Sequence, residues 1–296
     1  MTVQPDQNIR RELSFGEVFS KTFNLYKTDF AKYFILFAVV GVIVQVATAL
    51  AQQAFAVPML PMNPTPQQAS SYFSALLVSL FLLIGVIFVV DIIFSTIAQG
   101  SAIILASDQI TKGQVSLGPS IKNSVSRLLS IWALSIIVGI IVGLGLIALI
   151  APGVILAIMY SLALPVLLIE KKGVLESMSR SRQLVGHRWG STFGILLVLG
   201  IILIIISLIF GAITGPFGIP GTVVNGILSA FYQPLYPILL TVYYYSNLAR
   251  ITIPSGGQIW PGQVPPAQAG MKFCTNCGTL LPSTATLCFK CRAPQS

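Results

Sequence analysis

A run of 42 consecutive residues, from Leu128 to Ile169, contains no charged side chain. A helix that crosses a lipid bilayer needs about 20 predominantly apolar residues, so this run is long enough for two such helices. Ala151-Pro152-Gly153 stands near its middle, where the proline removes a backbone donor and the glycine permits a sharp reversal. The run therefore predicts a hairpin of two membrane-spanning helices, with the rest of the chain arranged on either side of it.

The composition of the whole chain indicates the same class of protein. Of its 296 residues, 55% are hydrophobic and only 8% are charged, whereas soluble domains carry about 25% charged residues. We predict an all-α polytopic membrane protein, with a polar tail over 1–12 and a membrane domain over 13–250. Its six predicted transmembrane helices cover about 33–54, 72–106, 130–150, 154–169, 191–213 and 223–248.

A short amphipathic segment precedes each pair of predicted spans. The first begins at Ser14, which forms a capping-box pattern with Glu17, and the other two begin near Ser116 and Val174. Such segments lie in the headgroup region or pack against the bundle, and the sequence leaves both alternatives open. The recurring order of a short helix and two spans indicates a weak internal repeat.

The distribution of charge predicts the orientation of the chain. The formal net charge is +9, and all 17 Lys and Arg residues lie in 1–32, 107–129, 170–190 and the part after 248. The loops between these segments contain none. By the positive-inside rule, both termini are predicted to be cytoplasmic in a cell membrane, and no nucleic-acid partner is expected.

Four cysteines form the most specific motif. Their pattern is C-x-x-C, ten residues and C-x-x-C, within a predicted domain over 271–296 that follows a Pro/Gly-rich linker over 251–270. Four thiolates at this spacing match a tetrahedral structural Zn²⁺ site, and we expect a small β zinc ribbon that docks a protein partner. Two disulfides or an iron–sulfur centre are the alternatives, and a cytosolic tail disfavours disulfides. The predicted zinc ligands are Cys274, Cys277, Cys288 and Cys291.

Asp91 is the one charged residue inside a predicted span. Intramembrane acids are candidates for function. The interpretation we favour is structural: Asp91 lies toward the cytoplasmic half of its span, hydrated or hydrogen-bonded by Ser95, Thr96 or Gln99.

A basic and aromatic cluster precedes the fifth predicted span. These side chains suit lipid phosphate groups, and ordinary anchoring by positive loops explains them equally well. The cluster consists of Arg180, Arg182, His187, Arg188 and Trp189.

Three stretches carry a resemblance to a known family: Phe15–Phe19, Pro165–Gly173 and Leu184–Trp189. Together they resemble the six-span membrane domain found in some glycerophosphodiester phosphodiesterases and in many stand-alone proteins whose role is not settled. The resemblance covers about 13–250 and implies the six-span fold. The catalytic half of those enzymes is a large soluble barrel without a counterpart in this sequence, so the resemblance implies no hydrolase activity.

These patterns favour a non-enzymatic membrane scaffold or adaptor, because no nucleophile–base pair or pair of carboxylates is present. The alternative is a transporter or channel for a lipid or a small solute. A packed apolar centre would favour the scaffold, whereas a polar cavity would favour transport. Such a cavity would be lined by Asp91, Gln99, Gln45, Gln233 and Asn225.

Overall fold

The computed structural model describes residues 9, 11–55, 65–186, 188–252, 271–273, 280–282, 284 and 286. Most of these residues are helical. The helices, in chain order, are α1 Phe15–Thr28, α2 Phe30–Ala54, α3 Pro66–Lys112, α4 Leu117–Ser126, α5 Leu128–Ala148, α6 Ile150–Tyr160, α7 Ala163–Ile169, α8 Val174–Val185, α9 Trp189–Thr214, α10 Gly218–Ser229 and α11 Leu235–Thr252, with a short 3-10 turn at Gly215–Phe217.

Within the described residues, five helical segments are long and apolar enough to cross a membrane. Their outward side chains are apolar and exposed, as Ile204 of α9 and Ile140 of α5 illustrate, so the chain has the surface of an integral membrane protein. The five segments are Phe30–Ala54, Pro66–Lys112, Leu128–Ala148, Ile150–Ile169 and Trp189–Ser229.

The prediction of six spans was wrong at the last one. The predicted span over 223–248 is broken between α10 and α11, where Pro234 precedes the second helix. α11 carries Ser246, Asn247 and Arg250 as well as three tyrosines, and most of it is buried in protein. Hydropathy alone does not distinguish a kinked span from a polar helix that lies inside the protein, and this explains the error.

The predicted β zinc ribbon was also wrong as a fold. In the described part of the tail, strands Met271–Phe273 and Leu280–Pro282 form one antiparallel pair, and the residues that can be placed contain no group of metal-ligating side chains. The four cysteines themselves lie outside the described residues. A unit this small buries too little apolar surface to define a fold without a metal.

Helix α1 packs against the bundle along α11. Its start is fixed by Glu17, whose carboxylate accepts from the backbone N–H of Ser14 at 2.8 Å. At one end, the N–H of Leu13 donates to Ser246 Oγ at 2.9 Å, and at the other, the Tyr26 hydroxyl donates to the carbonyl of Phe231 at 3.0 Å. The two helices therefore run in opposite directions, and of the two predicted environments for this segment, the structure shows packing against the bundle.

The three short helices α1, α4 and α8 each precede a long helix, α2, α5 and α9 respectively. After each long helix the chain continues differently: α3 is unbroken over 47 residues, about 70 Å, whereas the later units are divided into α6 and α7 and into α10 and α11. α3 runs without interruption through Gly100, against which the Ser124 side chain packs closely.

Two glycine pairs allow close helix crossings. A Cβ on Gly226 of α10 would lie 2.8 Å from the carbonyl oxygen of Gly41 in α2, and a Cβ on Gly145 of α5 would lie 2.9 Å from the Cα of Gly153 in α6. Small residues permit such backbone contacts between membrane helices. The first crossing joins the beginning of the chain to its last third.

The centre of the bundle is a packed apolar core to which six helices contribute, namely α1, α2, α3, α8, α9 and α11 among others. α11 supplies more of this core than its length suggests. Its buried members are Leu235, Ile238, Leu239, Leu240, Val242, Tyr243 and Tyr244.

Candidate functional site

Three consecutive tyrosines on α11 form hydrogen bonds with three different elements. The Tyr243 hydroxyl shares a hydrogen bond of 2.7 Å with Thr192 of α9. Because successive helical residues are about 100° apart, the next two tyrosines point to other neighbours. Tyr244 donates to Glu170 Oε1 at 2.9 Å, at the end of α7, and Tyr245 shares a hydrogen bond of 2.7 Å with Ser107 of α3.

Arg188 adds the N-terminal segment to this arrangement. Its guanidinium is 8% exposed and donates to Asn247 Oδ1 at 3.2 Å, to Ser246 Oγ at 3.3 Å and to the carbonyl of Leu13 at 3.0 Å. Its Nε lies 3.0 Å from Glu12 Oε1. The planar fork of arginine suits several fixed acceptors at once. We call the residues 243–247 and these partners the tyrosine hub.

Glu170 is the acidic centre of the hub. Besides the Tyr244 hydroxyl, it accepts from Arg180 Nε at 3.3 Å and lies 3.5 Å from Lys172 Nζ. Its side chain is 17% exposed, so these charges are only partly screened by solvent. Burial, together with the adjacent Glu170 carboxylate, raises the pKa of Tyr244. The hydroxyl therefore remains a donor to Glu170 at all physiological pH values.

A second buried contact attaches α3 to the α1–α2 corner. The amide of Gln109 donates to the carbonyl of Leu25 at 3.0 Å and to Asp29 Oδ2 at 2.9 Å, and it accepts from the Tyr33 hydroxyl at 3.1 Å. Gln109 is 2% exposed, and a buried amide needs such partners. Sequence reasoning missed this residue, although a glutamine inside an apolar helix is a signal for a buried contact.

The predicted basic cluster does not form one site. Arg180 is paired with Glu170, and Arg188 is buried in the hub. Arg182 is exposed, and its guanidinium lies 5.9 Å from the centre of the Tyr160 ring. Trp189 stacks on Phe193 instead. His187 lies outside the described residues.

Asp91 lies far from the hub along α3. Asp91 and Ala51 are each 18 residues from the hydrogen-bonded pair Gln109–Tyr33, so both are about 27 Å further along their antiparallel helices. This places Asp91 near the far end of α2, Ala54. Ser95 donates to the backbone carbonyl of Asp91, and among the described residues its carboxylate has no hydrogen-bond or ion-pair partner.

The described part of the chain contains two shallow surface depressions of note, one beside α1 and one between α6 and α9. Neither is lined by the polar residues that we would expect in a transport pathway, which are Asp91, Gln99, Gln45, Gln233 and Asn225. The centre is occupied by apolar side chains such as Ile238 and Leu239, both 0% exposed.

Comparisons with known proteins add no relative. No family model matches the chain, and no curated protein or solved structure matches it. The arguments about function therefore depend on the residues themselves. They identify a bundle held at one end by a polar network that the sequence did not reveal, because its partners are up to 175 residues apart, as Leu13 and Arg188 are.

Proposed function

We propose that this protein is a non-enzymatic membrane scaffold. In this proposal its hub end faces the cytosol, and its C-terminal tail binds structural Zn²⁺ and docks a protein partner. The observation that carries the proposal is the tyrosine hub, which fixes α11, the helix that leads into the tail, to four other parts of the chain.

The hub gives the tail a firm attachment. α11 ends at Thr252, and Arg250, two residues earlier, donates to the carbonyl of Leu184 at 3.0 Å. Tyr243, Tyr244 and Tyr245 connect the same helix to α9, α7 and α3. A partner bound to the tail is thereby linked to the membrane domain through a linker of about 20 residues, with an r.m.s. reach of about 25 Å.

A packed centre supports a scaffold in preference to a transporter. The described residues enclose no polar passage, and the polar side chains that are buried there, such as Gln109 and Thr192, are satisfied by protein groups. The same satisfaction argues against an enzyme: Glu170 is surrounded by cations and a tyrosine, and Asp91 has no described catalytic partner nearby.

The zinc proposal depends on thiolate chemistry. Four cysteines in two C-x-x-C pairs supply a complete tetrahedral set, which leaves no open position for a substrate. The metal would then stabilise the tail and present its surface, without a catalytic role. The proposed ligands are Cys274, Cys277, Cys288 and Cys291.

The orientation follows from the positive-inside rule, because the hub end carries Arg180, Arg182 and Arg188. The resemblance to the membrane domain of glycerophosphodiester phosphodiesterases remains a proposal, and the structure offers a physical reading of it. Two of the residues that carry the resemblance, Glu170 and Arg188, hold the hub together. Shared residues of this kind would preserve a fold and would not require a shared reaction.

The test compares full-length protein with the double variant Cys288→Ser, Cys291→Ser. A matched control, Thr284→Ser with Thr286→Ser, changes two residues of the same tail and retains all four cysteines. We expect one zinc per chain in wild type and in the control, measured by elemental analysis, and its loss in the cysteine variant. Partners captured from native membranes should be lost with the zinc, while the membrane domain stays monodisperse.

Two results would contradict the proposal. One is a cysteine variant that retains its full set of captured partners. The other is a cysteine variant whose membrane domain loses thermal stability, because the linker should uncouple the tail from the bundle.

A further inference from the structure

A groove of about 330 Å³ lies between α6 and α9. Its walls are apolar: Val154, Ala157 and Ile158 come from α6, and Phe193 and Leu196 come from α9. This volume is at the low end of the range for ligand sites, about 300–1,000 Å³. The groove therefore has room for part of an amphiphile and too few polar groups to hold a water-soluble molecule.

The groove opens toward the hydrocarbon of the bilayer. Apolar residues at its edges are exposed, with Ile155 41%, Leu197 46% and Ile201 48% exposed. In a membrane these side chains face lipid. Whatever occupies the groove therefore enters from the lipid phase.

A cation without an acidic partner stands at one end of the groove. Ser161 lines this end, and the adjacent Tyr160 lies under the guanidinium of Arg182, 5.9 Å away. The two other arginines of this region are compensated, Arg180 by Glu170 and Arg188 by Glu12. Within the described residues, Arg182 has no acidic partner.

The second wall carries an interfacial aromatic pair at the same end. Trp189 is the first residue of α9 and stacks on the groove residue Phe193, with ring centres 5.9 Å apart and planes 8° apart. Trp189 is 40% exposed. Tryptophan in such positions lies at headgroup level, which places the phosphate of a neighbouring lipid near Arg182.

We propose that this groove binds one acyl chain of an anionic phospholipid, whose phosphate lies against Arg182. The apolar walls take the chain, and the uncompensated guanidinium selects an anionic headgroup over a zwitterionic one. The inference is independent of the zinc tail, since it uses only α6, α8 and α9.

The test uses Trp189 as the reporter. The chain has three tryptophans, so Trp132→Phe with Trp260→Phe leaves Trp189 as the sole emitter in the full-length protein. This protein is placed in bilayers that contain acyl-brominated phosphatidylglycerol or acyl-brominated phosphatidylcholine at equal mole fractions. We expect quenching to show about a fivefold preference for the anionic lipid, the size expected for one basic side chain near an anionic surface.

Two variants separate the groove from general charge, and each has a matched control. Arg182→Gln should reduce the preference to about one, whereas Lys122→Gln, on exposed α4, should leave it unchanged. Ala157→Phe fills the groove and should reduce quenching by both lipids, whereas Ala148→Phe, exposed at the end of α5, should not. Equal quenching by the two lipids in the parent protein would overturn the proposal. So would equal effects of Arg182→Gln and Lys122→Gln, or of Ala157→Phe and Ala148→Phe.

Discussion

The guanidinium of Arg188 lies 5.2 Å from the centre of the Tyr243 ring, and both residues are buried. They come from α9 and α11 and hold the N-terminal segment between them through Leu13 and Ser246. A buried cation is stable only where it is paired and hydrogen-bonded. The contact therefore makes the correct docking of the chain's beginning a condition for burying this charge.

Replacing Arg188 with glutamine should lower the stability of the membrane domain. The change leaves Asn247 and the carbonyl of Leu13 without their donors, and we expect a loss of about 3 kcal/mol, the lower end of the range for breaking a buried ion pair, because Glu12 is 42% exposed. Thermal unfolding in detergent, followed by size-exclusion chromatography, measures it. Arg182→Gln is the control and should change little. Equal melting of the two variants would show that the hub does not stabilise the fold.

Replacing Tyr244 with phenylalanine should also destabilise the bundle. It removes one hydrogen bond to a charged acceptor, Glu170, which contributes about 1.5–3 kcal/mol. Tyr236→Phe is the matched control, because that hydroxyl is partly exposed and has no hydrogen-bond partner among the described residues. The same thermal assay should show a drop for the first variant and none for the second; a drop of similar size in both would place the cause in the ring packing.

The sequence predicted the membrane class and most of the apolar helices, since a charge-free run such as 128–169 has few other solutions in water. Boundaries agreed well where a charge ends the helix: the prediction of 191–213 corresponds to Trp189–Thr214. It failed for α11, because hydropathy averages over a helix and the tyrosine run did not indicate which side faces protein.

The hub was harder to predict for a different reason. Arg188 was recognised as a basic interfacial residue, and its headgroup role was one local interpretation. Its actual partners, Leu13 and Asn247, are 175 and 59 residues away along the chain. No spacing rule connects such positions without the fold.

A side chain at Gly226 should disturb the crossing of α2 and α10. A Cβ there would lie 2.8 Å from the Gly41 carbonyl oxygen and 2.9 Å from Gln45 Cγ, so Gly226→Ala should cost about 1–3 kcal/mol through overpacking. Gly85→Ala is the control, since no atom lies within 4 Å of the added methyl; it should be neutral or slightly stabilising. The thermal assay would contradict the close crossing if both alanines behaved alike.

The start of α1 should respond to acid through Glu17. The hydrogen bond from Arg11, followed by that from the Ser14 backbone, lowers the pKa of Glu17 to about 2. A carboxyl group with a depressed pKa stabilises the folded state above its ordinary value of about 4.3 and loses this contribution as the pH falls toward 2. The difference in melting temperature between wild type and Glu17→Gln should therefore shrink between these two pH values. A difference that stays constant across this window would mean that Glu17 is not ionised in the cap.

The orientation of the bundle can be tested with single cysteines at exposed positions. If the hub end is cytosolic, an impermeant thiol reagent added to intact cells should label Gln67→Cys, in the first turn of α3, and should not label Asn123→Cys in α4 or Ser179→Cys in α8. All three side chains are exposed, so failure to react reports on sidedness and not on burial. The four native cysteines provide an internal control, because they lie in the tail and should stay unlabelled until the cells are permeabilised. Labelling of Ser179→Cys in intact cells would invert the proposed topology and, with it, the placement of the docking tail.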